Sequence, residues 1–257
     1  MYLRCQVEYI MIAMIINLGD RVVASKRSSR IQATPIDRPK SLAVLVAERL
    51  KEAIFRTELS LGEVLSEEKI AVAMNVSRTP VREALTLLQL QGLINIIPQS
   101  GSVVFKPDVE DMEALVHYRL MLESQAASMA LRHDPAGAIS RLREAIGMME
   151  KAREAGDALA YAEADNAFHN AFFEYCGNHY VREAYDICSG RVAALRAHLA
   201  ERLQMHRNRT YTEHLQIVEA FERGDEQEVV AVLSRHIGNM EGNYIQVLQD
   251  LDTQPER

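Results

Sequence analysis

The chain has 257 residues, of which 48% are hydrophobic and 25% are charged, a composition typical of a folded globular protein. The formal net charge is −7, which taken alone argues against a nucleic-acid partner. Only 6% of the residues are aromatic and none is Trp, which favours an aliphatic core of packed helices over a β-sandwich.

The charge is distributed unevenly along the chain. Residues 1–40 carry seven Lys or Arg and three Asp or Glu, whereas residues 41–107 carry seven of each kind. Residues 108–257 hold the acidic excess, with 15 basic and 26 acidic side chains. The N-terminal part is therefore free to approach phosphate groups.

The first forty residues predict no folded element. The apolar run at 7–18 is twelve residues long and contains Glu8, so it is too short to span a bilayer, and no small-residue cleavage site follows it. The three separated cysteines form no C-x-x-C pair, which favours a reducing compartment. We expect residues 1–40 to be a basic, disordered extension of a cytoplasmic protein that does not contact a membrane.

Residues 41–107 predict a small DNA-binding fold. Apolar residues recur at helical spacing from 42 to 54, and Ser66 can cap a short second helix. Ser77 can cap a third helix, which Gly92 ends. Two short helices joined by a turn of about three residues predict a helix-turn-helix.

Two apolar runs follow Gly92, at 93–97 and 103–105, with the sequence Pro-Gln-Ser-Gly between them. They predict a β-hairpin, and a hairpin directly after a helix-turn-helix is a wing.

The segment "SRTPVREAL", residues 77–85, contains the candidate DNA-contacting residues. Arg78 and Arg82 lie one helical turn apart, and arginine matches both the guanine edge and phosphate groups. Ser77 and Thr79 can donate hydrogen bonds to phosphates beside the start of the helix. The alternative is that both arginines are solvated surface residues, which the turn, the cap and the wing together disfavour.

Residues 108–250 show helical periodicity throughout, followed by a tail at 251–257. Antiparallel helices of this length pack as a compact bundle. The predicted fold class is thus mainly α, with an N-terminal winged helix-turn-helix followed by an all-α antiparallel helical bundle. The predicted helices of the bundle are 109–132, 136–155, 157–176, 179–205, 209–223 and 226–249.

Four polar residues of this bundle are candidate metal ligands. Asp165 and His169 are four residues apart and share a helix face. His214 and His236 are in register with apolar residues, so we expect both to face inward. Their convergence does not follow from the sequence, and a hydrogen-bonded core histidine is the alternative for each. Together they would suit Zn²⁺, Ni²⁺, Mn²⁺ or Fe²⁺.

The segment "GEVLSEEKIAVAMNVSRTPVREALTLLQLQGLINIIPQSGSVV" resembles the winged helix of the GntR family of bacterial transcription regulators. The resemblance implies DNA contacts by Arg78 and Arg82, supported by Ser77, Thr79 and the wing tip at Gly101. A homodimer would read a palindromic double-stranded operator, since one winged helix reads one half-site. Some members carry a basic DNA-contacting residue near the position of Glu68, so operator preference does not transfer.

The pattern D-x-x-F-H, then E-H-x-x-I, then a final His resembles the ligand-binding FCD domain of FadR-type GntR regulators, and its six-helix length resembles the VanR branch. The resemblance implies a divalent ion, with Zn²⁺ placed first, and a small carboxylate or sugar acid as effector. The implied metal ligands are Asp165, His169, His214 and His236. Arg119 and, as a second candidate, Arg196 would grip the effector, although Arg119 could instead pair with Glu123, one turn on.

The combined modules predict a ligand-responsive transcription regulator, with repression as the expected output, that controls catabolism of its effector. A first alternative is a DNA-binding regulator whose metal is purely structural or is itself the signal. A second is a metalloenzyme, but the sequence offers no H-E-x-x-H motif and no general base placed with the ligands. We therefore expect no enzymatic activity.

Overall fold

The computed structural model describes residues 40–97 and 101–253. The predicted extension up to residue 39, the centre of the predicted wing turn at 98–100 and the last four residues of the predicted tail lie outside the described residues. The described part is mainly helical, with an N-terminal helix-turn-helix module followed by a helical bundle. The predicted fold class is confirmed.

Three helices form the N-terminal module: α1 (Leu42–Phe55), α2 (Glu67–Ala73) and α3 (Arg78–Leu90). The Ser66 side chain accepts from the backbone amide of Lys69 and caps α2, as predicted. Ser77 occupies the cap position of α3, but its side chain makes no capping hydrogen bond, which differs from the prediction. Asn75 takes a positive φ of 51°, which reverses the chain between α2 and α3.

The wing is part of a three-stranded antiparallel sheet, with strands β1 (Val64–Leu65), β2 (Ile94–Ile97) and β3 (Gly101–Val104) in the order β1-β3-β2. In the hairpin, Ile94 pairs with Val104 and Ile97 pairs with Gly101. The two-residue strand β1 was not predicted, because it is too short to show an alternating pattern. It ties the segment before α2 to the hairpin.

Six helices form the bundle: α4 (Val109–His133), α5 (Pro135–Ala155), α6 (Ala158–Tyr175), α7 (His179–Leu199), α8 (Arg207–Arg223) and α9 (Glu226–Thr253). Gly156 and Gly224 adopt the left-handed conformation that ends α5 and α8. Helix α7 ends six residues before its predicted end, and a 3₁₀ turn at Gln204–His206 leads into α8. None of the described helices has the length and hydropathy needed to cross a bilayer.

Helix α7 contributes to two apolar cores. Ala194 is buried in the core of the winged helix, whereas its neighbour Leu195 is buried in the core of the bundle. The helix also reaches the N-terminal module by hydrogen bonds. Arg191 Nε donates to the Gly92 carbonyl oxygen over 3.0 Å, and His198 Nε2 donates to the carbonyl oxygen of Ile54 over 2.9 Å.

Candidate metal centre and DNA-binding surface

Three helices of the bundle bring four candidate ligands together. Asp165 and His169 lie on α6, His214 on α8 and His236 on α9. Each side chain is buried, and one ligand atom from each lies within 4.8 Å of the others. The structure thus unites all four residues that the sequence analysis singled out, and this cluster could hold a metal ion.

Two glutamates hold two of the histidine rings from outside the cluster. Glu123 Oε2 lies 2.5 Å from Nδ1 of His169, and Glu213 Oε2 lies 2.8 Å from Nδ1 of His236. A carboxylate accepts the proton of Nδ1, which leaves the lone pair of Nε2 free for a metal. Neither role follows from the sequence, because each glutamate and its histidine partner lie on different helices.

The protonation states in the cluster suit a divalent cation. Burial lowers the pKa of His169 to about 4 and that of His214 well below its usual value, so both rings are neutral near pH 7. Burial would raise the pKa of Asp165, but Arg196 and the three histidines hold it below its ordinary range. Metal coordination requires neutral imidazole and ionised carboxylate groups.

Unpartnered buried atoms at the cluster fit a bound metal ion. The Nε2 atom of His169 and Nδ1 of His214 are buried without a hydrogen-bond partner among the described residues, and Nε2 of His214 lies 3.2 Å from Asp165 Oδ1 without a hydrogen bond to it. Such groups cost free energy unless something binds them. Three nitrogens and one carboxylate oxygen match the ligand preferences of zinc and of the neighbouring transition metals. The residues therefore fit a metal ion.

Arg119 forms the ion pair that the sequence analysis held as its alternative role. Its Nε atom lies 2.8 Å from Glu123 Oε1, and the two side chains are 2% and 0% exposed. Burial would raise the pKa of Glu123, but Arg119 and His169 hold it well below the usual range. The Nη2 atom of Arg119 is left without a hydrogen-bond partner in the described part of the chain. Arg119 therefore holds Glu123 in place, and Glu123 in turn orients the ring of the candidate ligand His169.

A small cavity of about 50 Å³ lies beside Asp165. Arg196 lines it, forms an ion pair with Asp165 and donates from Nη1 to Asn166 Oδ1 over 2.6 Å. The volume suits one or two waters or a single acidic group. A larger groove, of about 460 Å³, lies on the surface next to Glu213. None of the described residues with unpartnered buried atoms lines this groove, so it is the weaker candidate for a ligand site.

Arg207 lines the same cavity and was missed by the sequence analysis, which treated its segment as a break between helices. It is buried, donates from Nη2 to the Ala200 carbonyl oxygen over 3.3 Å and lies 5.7 Å from the ring centre of Tyr161. Among the described residues no carboxylate pairs with it. The buried hydroxyl of Tyr244 lies in the same lining and interacts with the Arg196 side chain. The cavity thus offers the Arg207 cation to an anionic group.

The predicted DNA-contacting residues lie on the exposed surface at the start of α3 and at the wing. Ser77 and Thr79 are exposed, and the side chains of Arg78 and Arg82 are 54% and 65% exposed. Gly101 opens β3 with a φ of 102°, and a side chain there would meet no atom of the described residues within 4 Å. Arg78 and Arg82 form ion pairs with Glu68 and Glu67, respectively.

Two family models match the chain. The model of bacterial regulatory proteins of the gntR family matches residues 42–104, and the model of the FCD domain matches residues 114–239. These matches coincide with the winged helix and with the bundle that contains the cluster.

Two similar proteins and one similar structure are described as transcriptional regulators. An uncharacterized HTH-type transcriptional regulator in an unstable DNA locus of Streptomyces ambofaciens is 31% identical over 184 residues, which are 69% of this chain and 74% of that protein. The HTH-type transcriptional repressor NanR of Escherichia coli K12 is 26% identical over 234 residues, 83% of this chain and 88% of the repressor. The crystal structure of a transcriptional regulator GntR from Rhodococcus sp. RHA1 shares the fold, with a TM-score of 0.72 at 24% identity over 80% of this chain and 99% of that one.

Proposed function

The chain belongs to the GntR family of bacterial regulatory proteins and carries an FCD domain, and from this premise we propose that it is a metal-dependent regulator that responds to a small carboxylate or sugar acid. Members of the family are transcription regulators, not enzymes. The observation that carries the proposal is the buried cluster of one aspartate and three histidines beside a cationic cavity.

The proposed metal ligands are Asp165, His169, His214 and His236, with Zn²⁺ first and Ni²⁺, Mn²⁺ or Fe²⁺ as alternatives. A bound ion would offer a coordination position to a carboxylate oxygen. Glu123 and Glu213 orient two of the rings.

The cationic wall of the cavity supports an acidic effector. Arg207 has no carboxylate partner among the described residues, whereas Arg196 already neutralises Asp165. A buried guanidinium binds carboxylate oxygens in a fixed geometry, often with two hydrogen bonds. We propose that Arg207 and Arg196, which line the cavity, bind the effector. The unpaired Nη2 atom of Arg119, which lies outside that lining, is a further candidate contact.

For DNA binding we propose that the exposed start of α3 enters the major groove and that Arg78 and Arg82 contact base edges or phosphates. Ser77, Thr79 and the wing at Gly101 would contact the backbone. A homodimer would place two such surfaces on a palindromic operator in the cytoplasm. The similarity to a transcriptional repressor supports repression, and the six bundle helices support a place in the FadR-type, VanR-like branch.

One observation favours the alternative in which the metal is structural or is itself the signal. The cavity of about 50 Å³ is small for a whole sugar acid. In that case metal alone would control DNA affinity, and no organic acid would be needed.

A thermal-shift screen of the purified chain against small carboxylates and sugar acids tests the proposal, because a ligand that binds only the folded state raises the melting temperature. The screen is run with metal and after chelation. We expect one acid to raise the melting temperature only in the metal-loaded protein. In the His214→Ala variant we expect loss of that shift and of bound metal, while the exposed control His117→Ala keeps both. A flat panel with a large drop on chelation would support the structural metal instead.

A further inference from the structure

The two arginines at the start of α3 bind neighbouring carboxylates through different edges of the guanidinium group. Arg82 is bound at Nε, which lies 2.6 Å from Glu67 Oε2. Arg78 is bound at the terminal atom Nη2, which lies 2.8 Å from Glu68 Oε2. The difference decides which part of each side chain remains available to DNA.

The Nε contact leaves the terminal amino groups of Arg82 free. Among the described residues its guanidinium has no further hydrogen bond or ion pair. Those two groups form the fork that binds the O6 and N7 atoms of guanine with two hydrogen bonds. In Arg78 the terminal groups are not both free, because Glu68 binds Nη2. A guanine would have to displace Glu68 before it could bind both terminal nitrogens of Arg78.

The two glutamates also differ in how firmly the fold holds them. The side chain of Glu67 is 34% exposed, whereas that of Glu68 is 72% exposed. Glu67 directly follows the capping residue Ser66, so its backbone is fixed in the first turn of α2. A half-buried side chain has fewer rotamers to lose than a solvated one, and it can therefore hold its partner at a lower entropic cost.

We propose that Glu67 is a positioning residue for sequence readout: it binds Nε of Arg82 and thereby aims the free fork of that arginine at a guanine. The inference rests on the proposed function of DNA binding. The proposal distinguishes non-specific from specific DNA binding. Binding to phosphates needs only the charge of Arg82, whereas bidentate binding to guanine also needs a fixed orientation of its guanidinium group.

The test measures the full chain on two probes: 30-base-pair duplexes of random sequence, and the duplex that the wild-type protein enriches most strongly from that pool. The readout is the specificity ratio, which is the dissociation constant on the random duplexes divided by that on the enriched duplex. We expect Glu67→Ala to lower this specificity ratio by about fivefold, the upper range for an exposed ion pair. Glu67→Gln should stay within about twofold of wild type, because its amide oxygen still accepts from Nε.

Two controls separate positioning from charge and from stability. Glu83→Ala removes an exposed carboxylate that adjoins Arg82 and has no ion-pair partner among the described residues, so we expect an unchanged ratio. Glu68→Ala should not lower the ratio either. In the Arg82→Ala background, which itself lowers the ratio by about tenfold or more, Glu67→Ala should add nothing.

An unchanged ratio in Glu67→Ala would overturn the inference and leave the proposed function standing. Equal losses in the Glu67, Glu68 and Glu83 variants would overturn it as well, since they would indicate a general charge effect. If the wild-type protein binds no duplex at low salt and enriches no sequence, the proposed function fails and the inference fails with it.

Discussion

Glu213 Oε2 lies 2.8 Å from Nδ1 of His236, across the interface between α8 and α9. Glu213 Oε1 also accepts from Asn239 Nδ2 over 2.9 Å, so both carboxylate oxygens have a partner. The contact with Nδ1 fixes the tautomer of His236 and leaves the lone pair of Nε2 for a metal.

Glu213→Gln should weaken metal binding by about 10–100-fold, because the amide supports the imidazole ring less well than a carboxylate does. Competition with a chromogenic chelator measures the change. The matched control is Glu222→Gln on the same helix, where an exposed glutamate pairs with Arg143. Equal affinities in the two variants would show that Glu213 has no part in the metal site.

Glu123→Gln should destabilise the metal-free protein by about 3–5 kcal/mol, because it leaves the buried Arg119 without its carboxylate partner. Urea denaturation of the chelated protein measures the free energy of unfolding. In the control Glu144→Gln, whose partner Arg141 lies near the surface, the loss should be within about 1 kcal/mol. A loss of that small size in Glu123→Gln would mean that Arg119 finds another partner.

The metal-free protein should become less stable as the pH falls from 6.5 towards 4. Burial lowers the pKa of His169 from its ordinary value of 6.5 to about 4 in the folded state. Between these values the unfolded chain binds a proton that the folded chain does not, so the stabilisation present above pH 6.5 is lost on acidification. The lowered pKa values of Asp165 and Glu123 act in the same direction at still lower pH.

Melting temperatures of the chelated protein between pH 7 and pH 4.5 test this dependence. His169→Asn should show a smaller decrease than wild type, whereas the exposed His117→Asn should show the full decrease. A wild-type melting temperature that does not change over this range would be incompatible with a buried neutral His169.

Arg191→Ala should reduce the communication between the bundle and DNA. Arg191 binds the carbonyl oxygen of Gly92, just after α3, and the same helix carries Arg196, the partner of Asp165. Metal loading should change DNA affinity by a coupling free energy of about 1–3 kcal/mol in wild type and by less than half of that in the variant.

Fluorescence anisotropy with and without chelator measures that coupling, and metal affinity itself should stay as in wild type. Arg182→Ala removes an exposed arginine from the same helix and should leave the coupling intact. Full coupling in the Arg191 variant would exclude this hydrogen bond as the connection.

Local signals account for the parts of the fold that the sequence predicted. The start of α2 at Ser66 and the end of α3 at Gly92 depend on a few adjacent residues, and both could be predicted. The contact of β1 with β3 joins residues some 40 positions apart, so no local pattern reveals it.

In the candidate site, too, local features could be predicted from the sequence and long-range contacts could not. The shared face of Asp165 and His169 follows from their spacing, whereas the approach of His214 and His236 depends on how three helices cross. The register with apolar residues predicted that these two histidines face inward, but only the family resemblance implied that they join Asp165 and His169. The cation at Arg207 was missed, because its burial results from tertiary packing.

The winged helix does not contain all of its own core. Ala194 of α7 fills part of that core from a position 87 residues beyond the predicted boundary at residue 107. A fragment cut at that boundary would have a gap where Ala194 packs, and Gly92 would lose the hydrogen bond from Arg191. Such a fragment would be less stable than the whole protein, and its DNA affinity would differ. The smallest fragment that keeps the complete core of the winged helix therefore includes α7.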